Sequence, residues 1–250
     1  MSQQGTHDPT LPGLAPKAIL FDLDGTLIET DNRWAETLAQ KLRWLERLIP
    51  RVDAQALARH LVMGIESPAN YVMSALEHVG IGSSFFGLAD RVRAAKGLAT
   101  RGESELVAGS IELLEALRGR YLLAVVTTRA RPEAEAFVRQ AGLQTLFPIV
   151  ITRQDVIRMK PHPEPVLKAA KRLGVSPGDC AMIGDTTADV RAAKRAGAYA
   201  VAVLSGFGVR GELEKAGADL ILPRAAMLLE HLNLASAPRQ DPLPAIGDAD

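Results

Sequence analysis

Two carboxylates one residue apart, Asp22 and Asp24, follow directly on the apolar run Ala18-Ile19-Leu20-Phe21. Residues i and i+2 of a strand face the same way, so both acids fall on one side of a strand's C-terminal end. Gly25 then permits a sharp turn, and the Thr26 hydroxyl can bond back onto the loop. Such a pair attracts a divalent cation, and without one the mutual repulsion drives the two pKa values apart. One carboxylate is then suited to be a nucleophile and the other an acid and base. The competing reading of this stretch alone is a turn with a helix cap. An EF-hand loop is excluded, because its glycine and glutamate places hold Leu27 and Arg33 when counted from Asp22. Counted from Asp185 they hold Val190 and Ala196.

Asp185 also closes an apolar run, Cys180-Ala181-Met182-Ile183-Gly184, and Asp189 follows in what reads as the first turn of a helix. Alone, that pattern is an N-cap cluster. In a parallel α/β sheet, however, C-terminal strand ends share one crevice, which sets Asp185 facing Asp22 and Asp24. Carboxylates gathered there are tolerable only around a cation, and oxygen-only ligands favour Mg²⁺ over zinc. Thr127 and Thr128 end another apolar run and can bond an anion's oxygens or cap the next helix. Lys160, held in Met159-Lys160-Pro161-His162-Pro163, is either a solvated charge or, beside the carboxylates, a phosphate clamp. His162 reads as a loop residue and not a ligand, since no second His or Cys stands near it at metal-site spacing.

The elements that must position these groups alternate. Strand-length apolar runs occur at KAILFD, YLLAVVT, PIVIT, CAMIGD, YAVAVL and ADLIL. They are apolar on both faces, as strands of a covered parallel sheet are. Helical stretches PEAEAFVRQAG, PEPVLKAAKRLG and ADVRAAKRAG lie between several of them, with proline near two starts and glycine at each end. The pattern predicts a doubly wound, Rossmann-like α/β core over 17–29 and 106–234. Residues 30–105 show helix-like stretches and no convincing strand, which predicts an inserted helical cap. Residues 1–16 and 235–250 read as loose tails.

The chain has 250 residues, with Lys plus Arg equal to Asp plus Glu at 29 each. That balance gives no push toward a nucleic acid or an acidic membrane. The single cysteine, Cys180, sits in an apolar run and excludes an internal disulfide. No apolar run approaches a membrane span and the N-terminus lacks the pattern of a signal peptide, so a cytoplasmic protein is expected.

The order Asp22-Leu23-Asp24-Gly25-Thr26, Thr127, Lys160-Pro161 and Gly184-Asp185 with Asp189 resembles the haloacid dehalogenase-like hydrolase superfamily. The resemblance covers about residues 17–222, and the insert is similar to the subfamily I cap of phosphoglycolate phosphatase-like and β-phosphoglucomutase-like members. It implies that Asp22 attacks phosphorus to form an aspartyl-phosphate, while Asp24 serves as acid and base. It implies Mg²⁺ held by Asp22, Asp185 and the backbone carbonyl of Asp24. Asp189 would orient Lys160, and Thr127, Thr128 and Lys160 would hold phosphate oxygens. The chain departs from the common Thr-Asn pair by carrying Thr127-Thr128, followed by Arg129, which either reaches the phosphate or the substrate or, the slightly favoured reading, faces solvent.

The resulting expectation is a Mg²⁺-dependent phosphatase acting on a small phosphorylated metabolite, as a monomer or homodimer. A β-phosphoglucomutase-like phosphotransferase and a non-catalytic binding protein on the same fold are the alternatives. Asp24 argues against a dehalogenase, which carries no acid there. Arg91, Arg93 and Lys96 could meet a second anionic group but read first as a solvated helix face, and Trp34, which could line the pocket, reads with Trp44 as core of the cap.

Overall fold

The computed structural model describes residues 16–29 and 105–232. Six parallel strands form one sheet: β1 Ala18–Phe21, β2 Leu122–Val126, β3 Ile149–Ile151, β4 Cys180–Gly184, β5 Tyr199–Val203 and β6 Leu220–Leu222. Each lies within one of the six apolar runs. Their order across the sheet is β3-β2-β1-β4-β5-β6, so β1 is flanked by β2 and β4. The order reverses beside β1, and ligands of open α/β sheets bind at such a switch point.

Among the described residues five α-helices connect the strands: α1 Ser110–Leu117, α2 Arg131–Gln140, α3 Glu164–Leu173, α4 Thr187–Ala196 and α5 Arg210–Ala216. The helical stretches read from the sequence are α2, α3 and α4, whereas α1 and α5 were not singled out there. Alternation along β1 builds both faces of the core. Ile19 and Phe21 pack with Leu113 and Leu117 of α1 and Phe137 of α2. Ala18 and Leu20 pack on the other face with Val166 and Ala170 of α3 and Val190 of α4. All four β1 residues are fully buried, which accounts for a strand with no polar face. The phenyl rings of Phe21 and Phe147 meet edge to face, 6.0 Å apart. Cys180 is buried in β4.

Among the described residues no helix is long and apolar enough to cross a membrane. The expected cap lies outside the described residues, apart from Glu105. So do the helices read within it, Trp34, Trp44 and the basic stretch at Arg91, Arg93 and Lys96. The tails 1–16 and 235–250 also fall outside them, apart from Pro16. The described residues on either side of 30–104 are joined: the Glu29 N–H donates to the Glu105 carbonyl and the Val107 N–H to the Leu27 carbonyl, each at 2.9 Å.

Candidate active site

Strand register gathers the site. Phe21 is level with Val125 of β2 and Ile183 of β4. Asp22, the next residue, therefore stands between the ends of both neighbours, and its N–H donates to the Ile183 carbonyl at 2.9 Å. Thr127 closes β2 and Asp185 closes β4, so three of the expected residues emerge side by side at the C-terminal edge. Asp22, Thr127, Lys160, Asp185 and Asp189 are each 1–7 % exposed. Burial of five such groups together demands mutual satisfaction.

Lys160 supplies part of it. Its ammonium lies 2.9 Å from Asp22 Oδ1 and 2.5 Å from Asp189 Oδ1, and donates to the Val126 carbonyl at 3.0 Å. The loop carrying it is braced from α3, because the Glu164 carboxylate accepts from the Ile157 N–H at 2.7 Å and the Arg158 N–H at 3.0 Å. Arg195 adds a bond to the Pro161 carbonyl at 2.8 Å. His162 is half-buried in this loop, its Nδ1 accepting from the Glu164 N–H at 3.2 Å. Asp189 is engaged at both oxygens: Oδ1 takes the lysine, and Oδ2 accepts from the Thr186 N–H at 3.0 Å and hydroxyl at 2.6 Å. That capping box starts α4 and aims Asp189 at Lys160.

One oxygen each of Asp22, Asp185 and Asp189 can lie within 4.8 Å of one another. Of these, Asp22 Oδ1 and Asp185 Oδ1 are buried with no aligned hydrogen-bond donor. For Asp22 Oδ1 the nearby ammonium is an ion-pair neighbour at 2.9 Å without the angles of a hydrogen bond. Three carboxylates face one ammonium in this cluster, leaving two negative charges uncompensated. Orphaned oxygens and a deficit of two charges fit a dication. Since both Asp189 oxygens are taken, Asp22 and Asp185 are the side chains free to hold it.

The electrostatics agree. Burial pushes the Asp22 carboxyl up from its ordinary 3.8 to about 7, against the pull of Lys160, with Asp189 and Asp24 adding to the rise. Burial, then the charges of Asp189 and Asp22, hold Asp185 well above its ordinary value, while the Phe207 N–H and Lys160 work the other way. Burial alone would lower the Lys160 pKa, but Asp189 and Asp22 raise it above its ordinary value. Without a cation the pocket therefore favours a proton on the carboxylates and keeps the lysine charged.

Asp24 stands apart from that cluster, its carboxylate held at both oxygens by Arg129. Arg129 thus departs from the expected solvent-facing placement: its side chain is only 12 % exposed. Burial tends to lower the Arg129 pKa, but the bond and charge of Asp24 raise it overall. Thr127 Oγ1 accepts from the Arg129 N–H at 3.1 Å, and the half-buried Thr128 makes no side-chain hydrogen bond among the described residues.

The loop after β5, Ser205-Gly206-Phe207-Gly208, was not singled out in the sequence, yet it holds Asp185 in place. The Phe207 N–H donates to Asp185 Oδ2 at 2.8 Å, and the Ser205 hydroxyl donates to the Gly25 carbonyl at 2.6 Å. A Cβ on Gly25 or Gly206 would collide with the Asp185 carboxylate, and one on Gly208 with its backbone carbonyl. Gly25 also has φ +73°, in the left-handed region that favours glycine. Two glycines flanking Phe207 at a strand's C-terminal end were the available signal.

Residues 16–197 match the family model of haloacid dehalogenase-like hydrolases. The chain belongs to that family. A relative from Dickeya dadantii (strain 3937), named probable phosphatase IndB, is 31 % identical over 211 residues, covering 82 % of this chain and 88 % of its own. Validoxylamine A 7'-phosphate phosphatase of Streptomyces hygroscopicus subsp. limoneus is 34 % identical over 186 residues, or 74 % and 84 % of the two chains. Among solved structures, a hydrolase from Pseudomonas syringae superposes with TM-score 0.60 at 26 % identity, covering 86 % of this chain and 96 % of its own. A haloacid dehalogenase family hydrolase from Deinococcus radiodurans R1, with bound phosphate and sodium, gives TM-score 0.58 at 26 % identity, covering 85 % and 93 %. The expectations of fold class and of a hydrolase of this family are both borne out.

Proposed function

We propose that the chain is a Mg²⁺-dependent phosphatase that hydrolyses a small phosphate monoester through an aspartyl-phosphate on Asp22. The observation that carries this reading is the buried Asp22 carboxylate, with Lys160 2.9 Å from one oxygen that has no aligned donor. The phosphatase names of relatives that cover most of their length with this chain support it. Asp22, Asp185 and the Asp24 backbone carbonyl would hold Mg²⁺, which when bound supplies positive charge against the phosphoryl oxygens.

The chain's own residues do the rest. An Asp22 oxygen attacks phosphorus and forms the acyl phosphate bond. The bond from phosphorus to the ester oxygen breaks, its electron pair stays on that oxygen, and the Asp24 carboxyl delivers a proton there. Water then attacks phosphorus while the Asp24 carboxylate takes its proton. The bond to Asp22 breaks with its electron pair returning to the carboxylate, so ester and water become alcohol and phosphate. Lys160 and Thr127, with Thr128 beside them, hold the phosphate oxygens, and Asp189 keeps Lys160 aimed.

Substrates are small phosphorylated metabolites rather than nucleic acid or membrane, met in the cytoplasm by a monomer or homodimer. A screen of phosphorylated metabolites with and without Mg²⁺ tests the reading. The expected result is phosphate release that needs Mg²⁺ and is lost in Asp22→Asn. Hydrolysis retained by that variant would remove Asp22 from the nucleophile's role. Isomerisation of glucose 1-phosphate without free phosphate would favour the mutase.

A further inference from the structure

The Asp24 carboxylate is gripped by a single guanidinium. Arg129 Nε donates to Oδ2 at 2.8 Å and a terminal nitrogen donates to Oδ1 at 2.5 Å. The Arg129 side chain is 12 % exposed and that of Asp24 is 42 % exposed, so the cation is the more deeply seated partner. Its backbone is fixed as well, the N–H donating to Thr127 Oγ1 at 3.1 Å and the carbonyl accepting from the Arg153 N–H at 3.3 Å. The guanidinium therefore projects from the rigid end of β2 onto the turn that follows β1. A two-pronged contact sets the plane of a carboxylate as well as its place, which a point charge does not. An acid that must protonate a departing oxygen depends on such alignment, because small misplacements of reacting groups cost orders of magnitude in rate.

We propose that Arg129 is a positioning residue that aligns the Asp24 carboxyl with the leaving-group oxygen. This rests on the acid and base role given to Asp24 above. Arg129 touches neither the phosphorus nor the leaving-group oxygen in this account and acts through the Asp24 carboxyl alone. A phosphate clamp would affect every ester alike. An aligner of the acid affects esters according to how much their leaving group needs a proton. An alkoxide needs one to depart, whereas a nitrophenolate departs without it.

The test is kcat/KM, which reports departure of the leaving group, for an alkyl phosphate and for p-nitrophenyl phosphate on the same enzyme sample. Because both esters meet the same sample, any unfolded fraction cancels in the ratio. Arg129→Met is expected to lose at least about tenfold more on the alkyl ester than on the nitrophenyl ester. Arg129→Lys is expected to recover only part of that difference, since an ammonium cannot fork. An equal loss on both esters, or no loss, overturns the proposal. Asp24→Asn separates the two claims. If it shows the alkyl-selective loss, the reading of Asp24 stands whatever Arg129 does. If it does not, both fall together.

Discussion

Asp22 is a carboxylate that its surroundings would prefer protonated. Burial raises it from 3.8 to about 7, above the value it has in an unfolded chain. Between those values the native state binds more protons than the unfolded one, so metal-free protein loses stability as pH rises from about 4 toward 7. In EDTA, the melting temperature is expected to fall between about pH 5 and about pH 7.5, and less steeply in Asp22→Asn. Added Mg²⁺ should raise the melting temperature more at the upper pH, because binding then displaces fewer protons. At this scale the sequence was informative where chemistry repeats in a known order. Asp22, Lys160, Asp185 and Asp189 were all singled out, and they meet in one pocket. Arg129 was misread because its partner lies 105 positions away, and no local pattern reports a contact that only β2 lying against β1 creates.

Loops and caps, more than strands, hold the reactive groups still. Gly206→Ala would thrust a methyl into the Asp185 carboxylate, so Mg²⁺ should bind more weakly to that variant by calorimetry, with its far-ultraviolet circular dichroism unchanged. Thr186→Ala removes the hydroxyl of the capping box and should cost about 1 kcal/mol in urea unfolding. It should also lower kcat/KM, since Asp189 loses one of the bonds that aim it at Lys160. The six strands were legible because runs apolar on both faces leave little else for a short segment to be. The short α5, seven residues long and burying only Leu213 among its own, offers almost no stripe to read. The loop at Ser205–Gly208 was silent for a different reason. Phe207 works there through a backbone N–H, which every non-proline residue carries.

At the scale of the whole described core, Asp155 ties separate parts together through ion pairs. Asp155, in the turn after β3, accepts from Arg131 of α2 at 2.6 Å and from Arg172 of α3 at 3.1 Å. Burial works to raise its pKa, but the Thr152 N–H and hydroxyl, with Arg131 and Arg172, hold it below the ordinary value. Its contribution is therefore present above the unfolded value and disappears as pH falls through the lower folded one. Asp155→Asn should cost about 1–3 kcal/mol near neutral pH by denaturant titration, a difference that shrinks below about pH 4. The sheet order was foreseeable only as a class, since which strands become neighbours is decided by packing over the entire domain.

The paired backbones of Glu29 and Glu105 give the core a splice point. The chain departs and re-enters through adjacent hydrogen-bonded residues. The entropy of closing such a detour grows only with the logarithm of its length, so a long excursion burdens the core little more than a short one. Exchanging 30–104 for a brief glycine-serine bridge should therefore leave a core that still melts cooperatively in calorimetry. Whatever is threaded through that gap can be lengthened, shortened or exchanged while the register that sets Asp22 beside Thr127 and Asp185 stays as it is.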